Sequence, residues 1–340
     1  MNPERLPEYI QFLMNADAYP HPVDAVRLIQ THISFVVLAG SFVYKWKKPV
    51  DLGFLNFSTL PRRRYYCRQE LLLNRRLCPE NVYLDLVSLT CQNGAFRLGG
   101  RGRKMEYGVK MARLPEGRMM NRLIREGRVD RRDIDRIVTR LVPFYERSES
   151  SATVTGFGSV REVGRSVMDN FRQTAPYIGQ EGLTPACFDR IRDFAVGFLA
   201  NRRLFDHRMA EGRIRDCHGD LHTANICLAD EVIIFDCIEF SRRLRCTDVA
   251  ADVAFLAMDL DFHGLHNLSE YFIQRFMEAS GDSGLLSMLG FYKCYRAYVR
   301  GKINLLTAID PGVDKRTAGE CRAQAGRYFS LAEAYAGMSQ

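Results

Sequence analysis

No apolar run in this chain reaches the length needed to span a bilayer. The opening residues, MNPERLPEYIQFL, lack a basic stretch followed by an apolar one, so a secretory signal peptide is not expected. Ten cysteines are present without a Cys-x-x-Cys pair. Cys217, Cys227, Cys237 and Cys246 are evenly spread but lack zinc-finger spacing. They read as reduced thiols in or near the core of a cytoplasmic protein. The phosphate loop G-x-x-x-x-G-K-[ST] occurs nowhere. No basic motif with stacking aromatics of the RRM or OB type occurs either, which makes nucleic acid the weakest partner class.

What is present is a chain of 340 residues, 46% of them apolar, enough for one large domain or two lobes with a sizeable core. The formal net charge of +8 comes mostly from Arg and implies an anionic partner or substrate, for which a nucleotide alone would suffice. The stretch most loaded with chemistry is CHGDLHTANICLADEVIIFDCIEF, Cys217 to Phe240. It reads as a loop with His218, Gly219, Asp220 and Asn225, a short apolar hairpin, and an acidic loop at Asp236. HGDLHTAN matches the kinase pattern H-R-D-L-x-x-x-N at every fixed place except Gly219.

Phosphoryl transfer asks for positioning and charge neutralisation more than for covalent steps. One carboxylate orients the attacking hydroxyl, and Asp220 is placed for that. Mg²⁺ takes oxygen ligands, usually one or two carboxylates with phosphates and water. Asn225 and Asp236 are the expected metal ligands. Asp and Asn are also common turn residues. The full set with its hairpin makes a coincidence of turns the poorer reading.

These residues resemble the aminoglycoside phosphotransferase and choline kinase group, the small-molecule branch of the protein-kinase-like fold. More narrowly, VYKWKKPVDLGFLNFSTLPRRR, CHGDLHTANICL and FDCIEF resemble a bacterial family of uncharacterised phosphotransferase-like proteins. Many of these carry a P-loop ATPase domain after the kinase-like one, and that domain is expected to be absent here. The resemblance covers roughly residues 25 to 310. It implies an α+β, bilobal protein-kinase-like fold. A small β-rich N-lobe with a helical extension is expected over residues 1–114, and a larger, mainly helical C-lobe over 115–340. It implies ATP and Mg²⁺ as cofactors and a small-molecule hydroxyl as acceptor, with no membrane partner. The acceptor's identity and the oligomeric state stay open.

In the N-terminal part, a helix through Leu6, Tyr9, Ile10 and Leu13 and a short helix to Ile29 are expected. Strands over residues 32–40 and 42–47 then form a hairpin turning at Gly40 and Ser41, the expected cover of the ATP phosphates. Only one glycine stands where protein kinases have several. Alternation puts Val43, Lys45 and Lys47 on one face. Lys45 is favoured as the phosphate ligand, with Lys47 second; solvated edge charges are the plainer reading of such a run. A helix opening at Pro61 carries Glu70, the only acid between Asp51 and Glu80 and so the only candidate to meet that lysine. Short strands are expected at 83–88, 94–98 and 106–114.

Farther along, residues 148–160 read as a polar loop, lid or linker, followed by helices over 161–178 and 184–211. Asp248 and Asp252 share a helical face and, by the resemblance, brace the catalytic loop rather than bind metal. His222 reads as a loop brace, and Glu239 as an aid to metal through water. Arg296, Arg300 and Lys302 flank a late helical core stripe. They suit either an anionic acceptor or, slightly better, ordinary helix surface. The alternative to a kinase is a nucleotide-binding pseudokinase, against which the intact Asp220, Asn225 and Asp236 argue.

Overall fold

Alternation of side chains along a strand decides the first half of the molecule. In Phe42–Lys47, Tyr44 and Trp46 are fully buried on one face, while Lys45 and Lys47 leave by the other. The structure, a computed structural model, describes residues 6–53, 55–79 and 81–338. It has an α+β, kinase-like fold made of two compact units. The start of the first expected helix, residues 1–5, lies outside the described residues.

The sheet unit comprises the chain up to Arg122 and Asn225–Arg242. Helix α1 (Glu8–Leu13) precedes β1 (Val26–Gln30), β2 (Ser34–Ala39), β3 (Phe42–Lys47), helix α2 (Leu60–Asn74), β4 (Tyr83–Gln92), β5 (Ala95–Leu98) and β6 (Arg103–Ala112). These six strands form one sheet in the order β1-β2-β3-β6-β4-β5, with every neighbouring pair antiparallel. Residues 26–30, expected as helix, are a strand because they pair with β2, Val26 opposite Ala39. Local propensity yields to tertiary pairing there. β3 lies between β2 and β6, so its lysines are not edge charges. One face packs Tyr44 and Trp46 against Ile10, Leu13, Phe35 and Val37. On another side Cys67 and Leu71 of α2 pack with Tyr83 and Val109.

The helical unit comprises Leu123–Ala224 and the chain from Arg243 onward. After α3 (Met120–Arg125), where the chain passes into this unit, come α4 (Arg131–Arg147), α5 (Ala152–Gly156), α6 (Val160–Thr174), α7 (Pro185–Leu199), α8 (Arg202–Ala210) and β7 (Ile214–Asp216). The expected 148–160 loop is not plain loop. Ser151 accepts from Val154 N to start α5, and Ser159 accepts from Glu162 N to start α6. The expected helix to 178 ends at Thr174 and passes into a single 3-10 turn over Ala175–Tyr177; Pro176 has no N–H to continue the i→i−4 ladder. The expected helix over 184–211 is two helices, broken at Asn201 with ψ near 68°.

Asn225 opens a hairpin of β8 (Ile226–Leu228) and β9 (Val232–Ile234), which belongs to the sheet unit and packs Cys227 and Ile233 with Cys67, Cys78 and Tyr83. Past α9 (Arg242–Arg245), β10 (Cys246–Asp248) pairs with β7. Helices α10 (Val249–Phe262), α11 (His266–Ser280), α12 (Leu286–Ile309) and α13 (Lys315–Met338) complete the helical unit. α10 is buried almost throughout, as its VAADVAFLAMDL sequence requires. α12 runs beside α10 and α13. A Cβ on Gly301 would fall 2.8 Å from the Phe329 ring, so a glycine is needed for this approach of α13.

Candidate functional site

In the sheet unit, Lys45 and Lys47 reach the same acid. Lys45 Nζ donates to Asp236 Oδ1 at 2.5 Å and lies 2.9 Å from Glu70 Oε1. Lys47 Nζ donates to Glu70 Oε2 at 2.7 Å and to Glu239 Oε1. Two cations therefore face three carboxylates. Burial would lower Lys45, but Asp236 first and Glu70 next outweigh it and hold the ammonium charged. Burial likewise opposes ionisation of Glu70, yet the two lysines bring its carboxyl down to about 2. The side chains of Lys47 and Glu70 are shut from water, whereas Asp236 keeps 42% of its side chain exposed.

The backbone sets Asp236 in place. Asn225 O accepts from Phe235 N at 3.0 Å, and Ile226 pairs with Ile234, so Asn225 and Asp236 flank the open end of one hairpin. Asp236 adopts φ near 64°, a left-handed conformation uncommon outside glycine. Its N–H donates to Tyr83 Oη at 3.2 Å, and Cys237 N donates to Asn74 Oδ1 at 2.9 Å. Two side chains of the sheet unit thus catch the turn. A carboxylate and an amide oxygen at one hairpin end, beside an excess of negative charge, form a donor set that suits a hard cation. Among the described residues no three His, Cys, Asp or Glu side chains group to hold a metal. A cation there would rest on few protein ligands, as Mg²⁺ commonly does.

Gly40 and Ser41 form the tip between β2 and β3. Gly40 has φ near 56°, and a Cβ there would meet Pro22 O at 2.7 Å, so packing alone demands glycine. Ser41 O accepts from Arg113 N at 2.9 Å. Glu239, expected to aid a metal, is instead buried against Lys47.

In the helical unit, the loop around Asp220 is held by its backbone. Asp252 Oδ2 accepts from His218 N at 2.7 Å and Asp252 Oδ1 from Gly219 N at 2.9 Å. Gly219 O accepts from Arg296 Nη1 at 3.1 Å. Asp259 Oδ2 accepts from Thr223 N at 2.9 Å and Thr223 Oγ1 at 2.6 Å. His222 Nε2 lies 3.4 Å from Asp220 Oδ2. Burial would raise the Asp220 carboxyl; His222, then Arg300 and His218, hold it well below the usual carboxylate range. Asp220 is thus an ionised acceptor at neutral pH. Asp248 does different work: it caps α10 through Ala250 N and pairs with buried Arg208.

Sequence reasoning passed over Asp259, Tyr83, Asn74 and Tyr145, whose hydroxyl donates to Asp252 Oδ2 at 3.2 Å. Asp259 was recoverable, since it lies two helical turns beyond Asp252 and so shares its face. Tyr83 and Asn74 left no local signal. Arg296, favoured slightly as helix surface, is buried.

Residues 128–288 match the model of the phosphotransferase enzyme family. Over this stretch the chain is similar to that family. Uncharacterised proteins of Mycobacterium tuberculosis and Mycobacterium bovis are each 33% identical to this chain over 292 residues, 84% of it. The alignment takes in 56% of their length, so the chain spans about half of each. Its structure resembles a choline kinase from Cryptosporidium parvum, with TM-score 0.54, 10% identity and coverage of 98% and 97%. It also resembles a choline/ethanolamine kinase family protein of Mesorhizobium loti, with TM-score 0.51, 14% identity and 94% of each chain covered. A thermostable mutant of an aminoglycoside phosphotransferase gives TM-score 0.52 at 10% identity over 92% and 95%. At such identities the likeness shows the fold.

Proposed function

We propose that the protein is an ATP-dependent phosphotransferase that moves the γ-phosphate to a hydroxyl of a small molecule. The observation that carries this reading is the Lys45 ammonium held between the carboxylates of Glu70 and Asp236. That arrangement keeps a cation charged in a buried place, ready for anionic phosphate oxygens. In this reading Lys45 binds the α- and β-phosphates and Glu70 orients it. Gly40 and Ser41 lie over the nucleotide. Asn225 and Asp236 would hold Mg²⁺, which would supply charge neutralisation for the phosphates. Asp220 accepts the hydrogen bond of the attacking hydroxyl and takes its proton as the bond to phosphorus forms. Its lowered pKa suits orientation more than strong basicity. The relatives named as choline kinase and aminoglycoside phosphotransferase support a small-molecule acceptor. All ten cysteines are thiols rather than disulfides, which supports a cytoplasmic setting. Among the described residues no helix is long and apolar enough to cross a membrane.

The test is ATP turnover with Mg²⁺, followed by transfer of labelled γ-phosphate to a panel of hydroxylated metabolites. Turnover that needs Mg²⁺ and is lost in Asp220→Asn is the expected result. Binding of MgATP without turnover under every acceptor would mark a regulatory nucleotide-binding module instead.

A further inference from the structure

Arginine side chains gather close to the Asp220 loop, within the helical unit. Arg300 of α12 lies over the Tyr328 ring at 5.6 Å, and Arg327 of α13 lies over the Phe262 ring at 4.2 Å. The two rings stack on each other with centroids 3.7 Å apart. Arg327 also donates to Phe262 O at 2.9 Å. The result is a four-layer stack with a guanidinium at each end. It is tied to the loop through one acid: Tyr328 Oη donates to Asp259 Oδ1 at 3.3 Å, and Asp259 Oδ2 holds Thr223. Gly301, next to Arg300, is what lets α13 approach closely enough to form the stack.

Burial opposes the Arg300 charge, and Tyr328, Asp259 and Asp220 uphold it. Asp259 is answered by Thr223 N–H, Thr223 Oγ1 and Tyr328 Oη. Asp220 is answered by His222. Arg300 Nε is buried and has no hydrogen-bond partner among the described residues. An unpartnered donor of this kind costs free energy unless a ligand meets it. The field of Arg300 reaches Asp220 and Asp259, both of whose carboxyls it helps to lower after His222. Burial lowers the pKa of His263, and Arg327, Arg125 and Arg300 lower it further against Asp259. Arg300 and Arg327 therefore bracket one stack that is tied to the loop of the proposed acceptor site. A guanidinium fork matches a phosphate or carboxylate with two parallel hydrogen bonds.

We infer that the acceptor is an anionic alcohol, a hydroxyl compound bearing a phosphate or carboxylate group, whose oxyanion is held by Arg300 while its hydroxyl meets Asp220. This inference rests on the phosphotransferase reading for Asp220 but makes a separate claim about charge. Arg300 binds the acceptor's charged group and takes no part in proton transfer. Arg327 and Arg125, both exposed at the surface, add long-range attraction.

The test measures binding to the intact chain without nucleotide, by calorimetry, of four small alcohols: glycerol, glycerol 3-phosphate, glycerate and choline. Glycerol 3-phosphate and glycerate separate a phosphate from a carboxylate preference. The expected result is binding of at least one anion, with glycerol and choline at least tenfold weaker. Arg300→Gln should weaken the anion at least tenfold, and Arg300→Lys should weaken it less, with both variants checked for native circular dichroism. Lys45→Met should leave anion affinity unchanged, which excludes the nucleotide-phosphate position as the source. Should neither Arg300 variant fold, Arg327→Gln, an exposed change, should still weaken the anion severalfold. The inference is overturned if neither anion binds, if choline binds as well as the anions, or if Arg300→Gln changes affinity less than twofold. It is equally overturned if Lys45→Met removes the binding. Anion binding without ATP turnover would fail the phosphotransferase reading and leave the anion site standing. Turnover without anion binding would do the reverse.

Discussion

Two acidic clusters neutralise their charge by different means. In the sheet unit, Glu70, Asp236 and Glu239 are met by the side chains of Lys45 and Lys47. In the helical unit, Asp252 and Asp259 are met mainly by backbone N–H groups of the loop they brace. Lysine stems are long and can move to a phosphate, whereas a backbone amide stays where the loop stays. The first cluster suits exchange of partners on ligand binding. The second suits fixing one carboxylate, Asp220, in place. The difference predicts which variants lose chemistry, which lose binding and which lose stability.

The largest effect is expected at Asp220. Asp220→Asn should keep the fold and nucleotide binding but lower turnover by roughly 10²–10⁴-fold. Unchanged phosphate release would remove the role and with it the contrast between the clusters. Asp236→Ala comes next. It should abolish Mg²⁺-dependent nucleotide binding, and equal MgATP affinity by calorimetry in both proteins would show that the hairpin turn holds no metal.

The lysines give the sharpest comparison. Lys45→Met should raise the ATP KM or cut kcat strongly. The sequence ranks Lys47 second as phosphate ligand, and on that ranking alone Lys47→Met does little. The structure changes that expectation, because Lys47 is buried between Glu70 and Glu239. Removing one partner of a buried ion pair costs about 3–5 kcal/mol, so Lys47→Met should lower Tm clearly in a thermal melt. If the two effects exchange, with Lys47→Met killing nucleotide binding and Lys45→Met only destabilising, the roles are reversed.

Bracing should be smaller still. Arg296→Ala removes a donor to Gly219 O and should lower kcat several-fold without changing the ATP KM. A change in KM alone would place Arg296 elsewhere in the mechanism. The smallest effect concerns acid stability. Glu70 titrates at about 2 in the folded state against an ordinary value of 4.5. A depressed carboxyl contributes stability above its unfolded pKa and loses it as pH falls toward its folded one. Wild type should therefore lose stability between about pH 4.5 and 2, and Glu70→Gln should show a shallower loss there when melts are compared across that range.

The chain of residues from His218 to Asp236 was legible in the sequence because its chemistry is local. Asp220 and Asn225 share one loop, and the apolar run Val232 to Phe235 announces the hairpin that delivers Asp236. The alternation through Val43, Lys45 and Lys47, and the solitary Glu70 on α2, were equally readable, since strand period and a count of acids suffice. The N-terminal strand β1 was not, because its strand state comes from pairing with β2 rather than from its own residues. Nor could spacing tell that one glutamate serves both lysines, since that requires the depth at which α2 crosses the sheet. The stack of Arg327, Phe262, Tyr328 and Arg300 draws on three helices far apart in the chain. Sequence alone determined which groups carry charge and chemistry. Tertiary packing decided which of those charges are answered and, at Arg300 Nε, which donor is left open, because burial and partner choice depend on neighbours that the chain order does not supply.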